Sequence, residues 1–340
     1  PPTLSSAASD VYKRQLQLSE KQLGEYSFIH PLDDINKSQS TNDTYPTALK
    51  IASINLLRLL QSAYSNLQGE LQNKEEEFRN IFKLGRTQFQ DAVPITLGQE
   101  FGAYAQAISR DRWRLYNAEE RLRSVNLGGT AVGNSINADK EFVLKINNNL
   151  KKICNLPIAK AEDLIDATQN LDVFVEVHGI VKAGAVSIIK LCNDLRLLSS
   201  GPNGGFAEIK LPPKQSGSTI MPGKVNPVIL ENTIQIAEMV KGHDVIISNL
   251  SDSGNLELNA FVPAIAHYFL KSVQLLEKAV NNLTANCIKD IIADKDNCNK
   301  HLLNSSALSA SFIKLIGYDK AQEIVKSAAE NGVTFLEELR

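Results

Sequence analysis

Val173–Leu198 reads VFVEVHGIVKAGAVSIIKLCNDLRLL, and this stretch decides the fold. No proline or turn dipeptide interrupts it, and apolar residues fall on most of its faces. That is the pattern of a helix buried among other helices. It is not a membrane span, because the wider run Leu171–Cys192 is broken by Asp172, Glu176, His178, Lys182 and Lys190. Outward from it, Thr47–Leu67 places Ala48, Leu49, Ile51, Ala52, Leu56, Leu59, Leu60 and Ala63 at three- and four-residue spacing. Leu97–Leu122 repeats the spacing through Phe101, Tyr104, Ala105, Ile108 and Leu115, and Val228–Leu250 and Ala260–Leu283 follow. Hairpin dipeptides are nearly absent, Asn331-Gly332 being the main exception. The expectation is a mainly α protein built on a bundle of long helices.

Composition narrows the function. The chain has 340 residues, 43% hydrophobic and 22% charged, enough apolar material for a sizeable core. Thirty-six basic residues against 38 acidic ones give a net charge of −2, and aromatics are 6%. Neither an electrostatic footprint for nucleic acid nor a base-stacking surface is present. Cys154, Cys192, Cys287 and Cys298 show no CxxC or zinc spacing and read as reduced thiols of a cytoplasmic protein.

The chemistry is expected at three polar clusters, each read as preceding a helix. Ser40-Thr41-Asn42-Asp43 offers Asp43 as a helix cap, with Pro46 in the first turn. Gly85-Arg86-Thr87-Gln88 precedes Pro94 and the capping-box pattern Thr96-x-x-Gln99. Gly217-Ser218-Thr219-Ile220-Met221-Pro222-Gly223-Lys224-Val225-Asn226-Pro227 ends in a cap and a first-position proline. Helix N-termini attract anions, and hydroxyls, amides and Lys224 add donors. Converging, the clusters would make a pocket for a small anion with several carboxylate oxygens; taken singly, such a cluster is more often just a helix cap. Ser199–Thr219, rich in Gly and Pro, is too long for a tight connection and is read as a functional loop or a disordered one.

Other motifs fail. The run from Gly217 to Lys224 lacks P-loop spacing, and Gly128–Gly133 lacks the GxGxxG order. The five histidines, His30, His178, His243, His267 and His301, show no metal spacing, and His178 reads as a packing residue.

At these residues the chain resembles the aspartase/fumarase superfamily. Gly217-Ser218-x-x-Met221-x-x-Lys224-x-Asn226 agrees with the superfamily signature, and Ser40–Asp43, Gly85–Pro94, Gly128–Gly133 and Cys192–Pro202 are similar to its other blocks. The resemblance runs from about Leu16 to Arg340 and is strongest to the aspartate ammonia-lyases. It implies the L-aspartase-like long-helix bundle, no cofactor, no metal, and elimination of ammonia from L-aspartate to give fumarate. It also implies a homotetramer whose active sites are shared between subunits, with no nucleic-acid or membrane partner. In roles, it implies Ser218 as the catalytic base. It implies Ser40, Thr41 and Thr219 (a serine in the family) on the β-carboxylate, and Asn42 and Gln88 near the amino group. Thr87, Lys224 and Asn226 are implied on the α-carboxylate, and Glu231 as a supporting acid.

A class II fumarase is the rival enzyme. The family there supplies a histidine where this chain has Gln88, which is no acid at neutral pH. A non-catalytic protein or inactive fragment on the same fold is the rival from another class. By domain, residues 1–15 are expected to be a non-native or disordered segment without helical periodicity. Residues 16–41 are expected to be the remnant of an N-terminal domain, 42–296 the central bundle, and 297–340 a partial small C-terminal domain. The family's upstream Thr/Ser/Asn-rich block is not found, and the sequence stops at Glu337–Arg340, so a fragment of a longer enzyme is expected.

Overall fold

The computed structural model describes residues 7–215, 217 and 220–340. The chain order is α1 (Ala7–Leu18), α2 (Thr41–Glu77), β1 (Phe82–Thr87), β2 (Gln90–Thr96), α3 (Leu97–Leu122), β3 (Ser124–Val125), α4 (Lys140–Cys154), β4 (Ala159–Lys160), α5 (Asp166–Gln169) and α6 (Asp172–Leu198). It continues with β5 (Ile209–Lys210), α7 (Val228–Ser251), α8 (Val262–Asn286), β6 (Ile292–Ala293), α9 (Lys295–Leu303), α10 (Ser309–Ile316), α11 (Tyr318–Asn331) and α12 (Phe335–Leu339). The five helices expected from periodicity are all present.

The chain forms two compact units, Pro1–Leu59 with Leu115–Val181 and Lys241–Gln274, and Leu60–Arg114 with Lys182–Val240 and Leu275–Arg340. In the first, Leu57, Leu122, Phe174, Val177 and Phe269 are buried, and Phe174 meets Phe269 edge-on at 5.5 Å. His178 lies at 0% exposure, with Nδ1 2.9 Å from Asp244 Oδ1, so it is a partnered packing residue as expected. In the second, Tyr64, Leu67, Phe78, Phe101, Ile188 and Leu276 are buried. Gly184 is required there, because a Cβ at that position would lie 2.7 Å from the Tyr64 hydroxyl.

Two local expectations are corrected. Residues 1–15 are not without helix: α1 begins at Ala7, burying Tyr12 and Leu16, four apart on one face. The Tyr12 hydroxyl accepts the Gly24 N–H at 2.8 Å, which ties the helix to the chain that follows it. The second correction is a hairpin whose turn carries no hairpin dipeptide. β1 and β2 pair antiparallel from Phe82↔Thr96 to Thr87↔Gln90, with Gln88-Phe89 as a two-residue loop. Both loop residues have positive φ (54° and 62°), the requirement of a type I′ turn, met here without Asn or Gly.

Candidate active site

Ser40 opens α2. Its Oγ accepts the Asn42 N–H (3.2 Å), while Asp43 Oδ1 accepts the Ser40 N–H (2.9 Å). Ser40 is therefore the cap, and Asp43 is its reciprocal partner rather than the cap. Asp43 is fully buried, and its Oδ2 accepts from the Gly128 and Thr130 N–H groups at 3.1 and 3.0 Å. Burial pushes its carboxyl above the ordinary aspartate range, against the pull of these N–H donors. The Gly128–Gly133 block is thus the platform under the first cluster. Gly133 sits at φ 89°, where a Cβ would run into the Ile165 backbone at 2.4 Å.

Asn42 is held at both ends. Pro46 lies in the second helical turn, not the first, and has no N–H to give to the Asn42 carbonyl. The Asn126 side-chain amide donates to that carbonyl instead, at 3.0 Å. Asn126 is itself almost fully buried. Its amide also donates to Thr168 Oγ1 (2.9 Å), and its Oδ1 accepts from Thr47 Oγ1 (3.4 Å). The Asn42 side chain donates Nδ2–H to the Ala131 carbonyl at 2.7 Å. A carbonyl partner fixes the amide orientation, so Oδ1 is the acceptor end. Asn126 did not stand out in the sequence, although Pro46 four residues after Asn42 signals a carbonyl in need of a donor.

Thr87 and Gln88 do not precede a helix. They stand exposed at the tip of the β1–β2 hairpin, and α3 starts only at Leu97. The Thr96–Gln99 capping box does form there (Gln99 N–H to Thr96 Oγ1 3.1 Å, Thr96 N–H to Gln99 Oε1 2.9 Å). The hairpin carries an irregularity between Leu84 and Arg86, at Gly85, where a Cβ would meet the Val93 carbonyl oxygen at 2.5 Å.

Ser218 and Thr219 lie outside the described residues. Around them, Gly217 packs against the Lys224 carbonyl, which a Cβ at 217 would approach to 2.9 Å. Met221–Lys224 is a turn closed by the Lys224 N–H on the Met221 carbonyl (3.2 Å). Pro222 and Gly223, the latter at φ 82°, fill the two central positions that a type II turn favours. Lys224 and Asn226 are exposed, and α7 begins at Val228. Glu231 pairs loosely with Arg196 Nη2 at 3.8 Å. The expected loop Ser199–Thr219 is pinned over its first half: Ala207 N–H bonds the Ser200 carbonyl, Glu208 N–H bonds that of Leu198, and β5 pairs with β6.

Ser40, Thr41 and Asn42 belong to the first unit, whereas Thr87, Gln88, Lys224, Asn226 and Glu231 belong to the second. Among the described residues, no group of three or more His, Cys, Asp or Glu side chains is placed to hold a metal ion. No described helix is long and apolar enough to cross a membrane.

A family model described as lyase matches residues 9–242. Aspartate ammonia-lyase from Helicobacter pylori is 43% identical over 316 residues, 93% of this chain and 68% of that protein. The Bacillus subtilis aspartate ammonia-lyase is 40% identical over 95% of this chain and 68% of its own length. Among solved structures, a fumarate lyase:delta crystallin from Brucella melitensis, bound to cobalt, superposes with a TM-score of 0.95. It is 41% identical, covering 98% of this chain and 72% of that one. A class II fumarase from Schistosoma mansoni gives a TM-score of 0.83 at 30% identity, covering 91% of this chain and 68% of that one.

Proposed function

We propose, from the premise that this chain belongs to the lyase family, that it is an aspartate ammonia-lyase, which eliminates ammonia from L-aspartate to give fumarate. Aspartate ammonia-lyases at 40–43% identity support the activity. The observation that carries the choice of leaving group is Gln88, an amide at the exposed hairpin tip with no proton to give. Hydroxide departing from malate needs such a proton. The ammonium of aspartate departs as neutral ammonia and needs none.

In the proposed mechanism Ser218 takes the proton from Cβ. The electron pair moves onto the β-carboxylate, forming an enediolate-type dianion that the donors Ser40, Thr41 and Thr219 stabilise. Collapse of the dianion forms the double bond and expels ammonia from Cα. Thr87, Lys224 and Asn226 hold the α-carboxylate, with Lys224 supplying a full charge. Asn42 supports the amine role, because its amide is oriented with Oδ1 as acceptor, the end that suits an ammonium. Preorganised donors of this kind are each worth about 10²–10³ in rate. Glu231, paired with Arg196, serves as support.

The same proposal includes a homotetramer sharing its active sites between subunits. Its support is apolar surface on the long helices: Trp113 on α3, Val186 on α6, and Met239 and Val245 on α7 are all exposed in the single chain. Residues 42–296 would supply the central bundle, between an N-terminal remnant (16–41) and part of a C-terminal domain (297–340). All four cysteines are free thiols, which supports a cytoplasmic setting.

The test is to assay L-aspartate and L-malate side by side through the ultraviolet absorbance of fumarate. Turnover of aspartate and not malate is expected, with Ser218→Ala losing about 10²–10⁴ in kcat at little change in KM. Preferential turnover of malate would favour the class II fumarase reading, and a near-normal kcat in Ser218→Ala would remove Ser218 as the base.

A further inference from the structure

Glu208 has no exposed surface, yet it is a carboxylate in the first half of the loop that follows α6. Its Oε1 accepts from Arg86 Nη1 at 2.8 Å, and its Oε2 lies 2.8 Å from Lys83 Nζ. Lys83, 2% exposed, also reaches Glu100 Oε2 at 2.8 Å. The Arg86 guanidinium lies over the Phe206 ring, 4.1 Å from its centroid, and Nη2 is 3.0 Å from His301 Nδ1. The same Nδ1 lies 3.2 Å from Glu208 Oε1, so it stands between the guanidinium and the carboxylate, and its tautomer decides which of the two it bonds. The Glu208 carbonyl in turn accepts the Asp294 N–H just ahead of α9, at 2.9 Å. Two cations, two carboxylates, a histidine and an aromatic ring thus fix strand β1 to the root of the loop that leads on to Gly217–Asn226.

Next to this network the hairpin is bulged: Leu84 pairs with Pro94 and Arg86 with Asp91, so Ala92 and Val93 of β2 stand opposite Gly85 alone. In a regular strand Lys83, Gly85 and Thr87 would share one face. Arg86, which a regular strand would turn to the face opposite Lys83, nonetheless reaches the same partner, Glu208, and Thr87 stands exposed at the tip. A buried ion network is a poor source of stability compared with apolar packing of the same volume, so a role in orientation accounts better for its presence.

We propose that Arg86 is a positioning residue: anchored on Glu208, it holds strand β1 so that Thr87 meets the α-carboxylate of the substrate. This rests on the aspartate ammonia-lyase reading. Arg86→Lys keeps the charge but loses the planar fork and the ring stacking. The experiment is a double-mutant cycle with Arg86→Lys and Thr87→Ala, comparing KM and kcat for aspartate in each, with folding checked by circular dichroism. Each single variant is expected to raise KM about 10-fold or more with a smaller loss in kcat. The double variant is expected to be within about 2-fold of the worse single one, because Arg86 acts through Thr87. Effects that multiply, or a KM in Arg86→Lys equal to that of the unsubstituted enzyme, overturn the proposal alone. An unsubstituted chain that does not turn over aspartate overturns the reading of the reaction and this proposal with it. Should Arg86→Lys not fold, His301→Asn alters one Arg86 partner while leaving the Lys83–Glu208 pair, and the same cycle with Thr87→Ala decides on the same criteria.

Discussion

The side-chain amide of Asn126 donates to the Asn42 carbonyl that Pro46 leaves without a helical partner, at 3.0 Å. A helix-breaking residue and a buried amide from another segment together fix the backbone of a residue proposed to receive the ammonium. Asn126→Ala removes that donor and leaves the carbonyl wanting. The expected outcome is a loss of about 1–3 kcal/mol in stability to urea, together with a higher KM for aspartate. Unchanged stability and unchanged KM would show that water satisfies the Asn42 carbonyl equally well.

Asp43 bears on pH. Burial raises its folded-state carboxyl above the ordinary aspartate range. At pH below that of a free aspartate the group is protonated in both states and contributes no pH dependence. As pH rises from about 3.8, the unfolded chain releases this proton first, so the contribution of Asp43 to stability falls until the folded pKa is passed. Asp43→Asn is expected to abolish that falling component. It also turns an amide N–H₂ toward either the Ser40 N–H or the N–H groups of Gly128 and Thr130, at a cost of about 1–3 kcal/mol at neutral pH. Stability curves taken from acid to neutral pH check both; parallel curves for the two proteins would refute the first.

The thiols give a third expectation. Cys192, Cys287 and Cys298 are buried, and burial raises all three, Cys287 and Cys298 to about 12. Cys154, near the end of α4, is half-buried. A thiolate-specific reagent at neutral pH should therefore label one site in the native protein and all four in denaturant. Mass spectrometry that finds Cys192 or Cys287 modified under native conditions would contradict this packing.

What could be read in advance divides by the range of the interaction. The five long helices were legible because apolar spacing is local, and α3 begins and ends where Leu97–Leu122 predicts. The chemistry of the clusters was legible because polar residues in a fixed order are a sequence property. The hairpin was hidden because its turn is made by Gln88-Phe89, which carries none of the Asn/Gly preference for positive φ. Asn126, Glu208 and His301 were not legible either. Their roles arise only when segments 84, 122 and 215 positions apart come together. The helix at Ala7–Leu18 was not legible because, among its described side chains, Tyr12 and Leu16 are the buried ones, too short a pattern for periodicity to reveal.

Gln88 and Phe89 carry the last prediction. Both sit at left-handed φ with β-carbons that this region disfavours, at a cost of about 1–2 kcal/mol each. Asn-Gly would adopt the same turn without that cost. The double substitution Gln88→Asn with Phe89→Gly is therefore expected to stabilise the hairpin by about 1–2 kcal/mol, read as a later urea midpoint. Gln88 is also proposed to stand near the amino group of the substrate, and Asn is one methylene shorter. The same variant is expected to lose about 10-fold or more in kcat/KM for aspartate. A gain in stability with no loss of activity would mean that the strain at the tip serves nothing, and would remove Gln88 from the site. A loss of both would mean that Phe89, 75% exposed in the single chain, has a contact of its own to make.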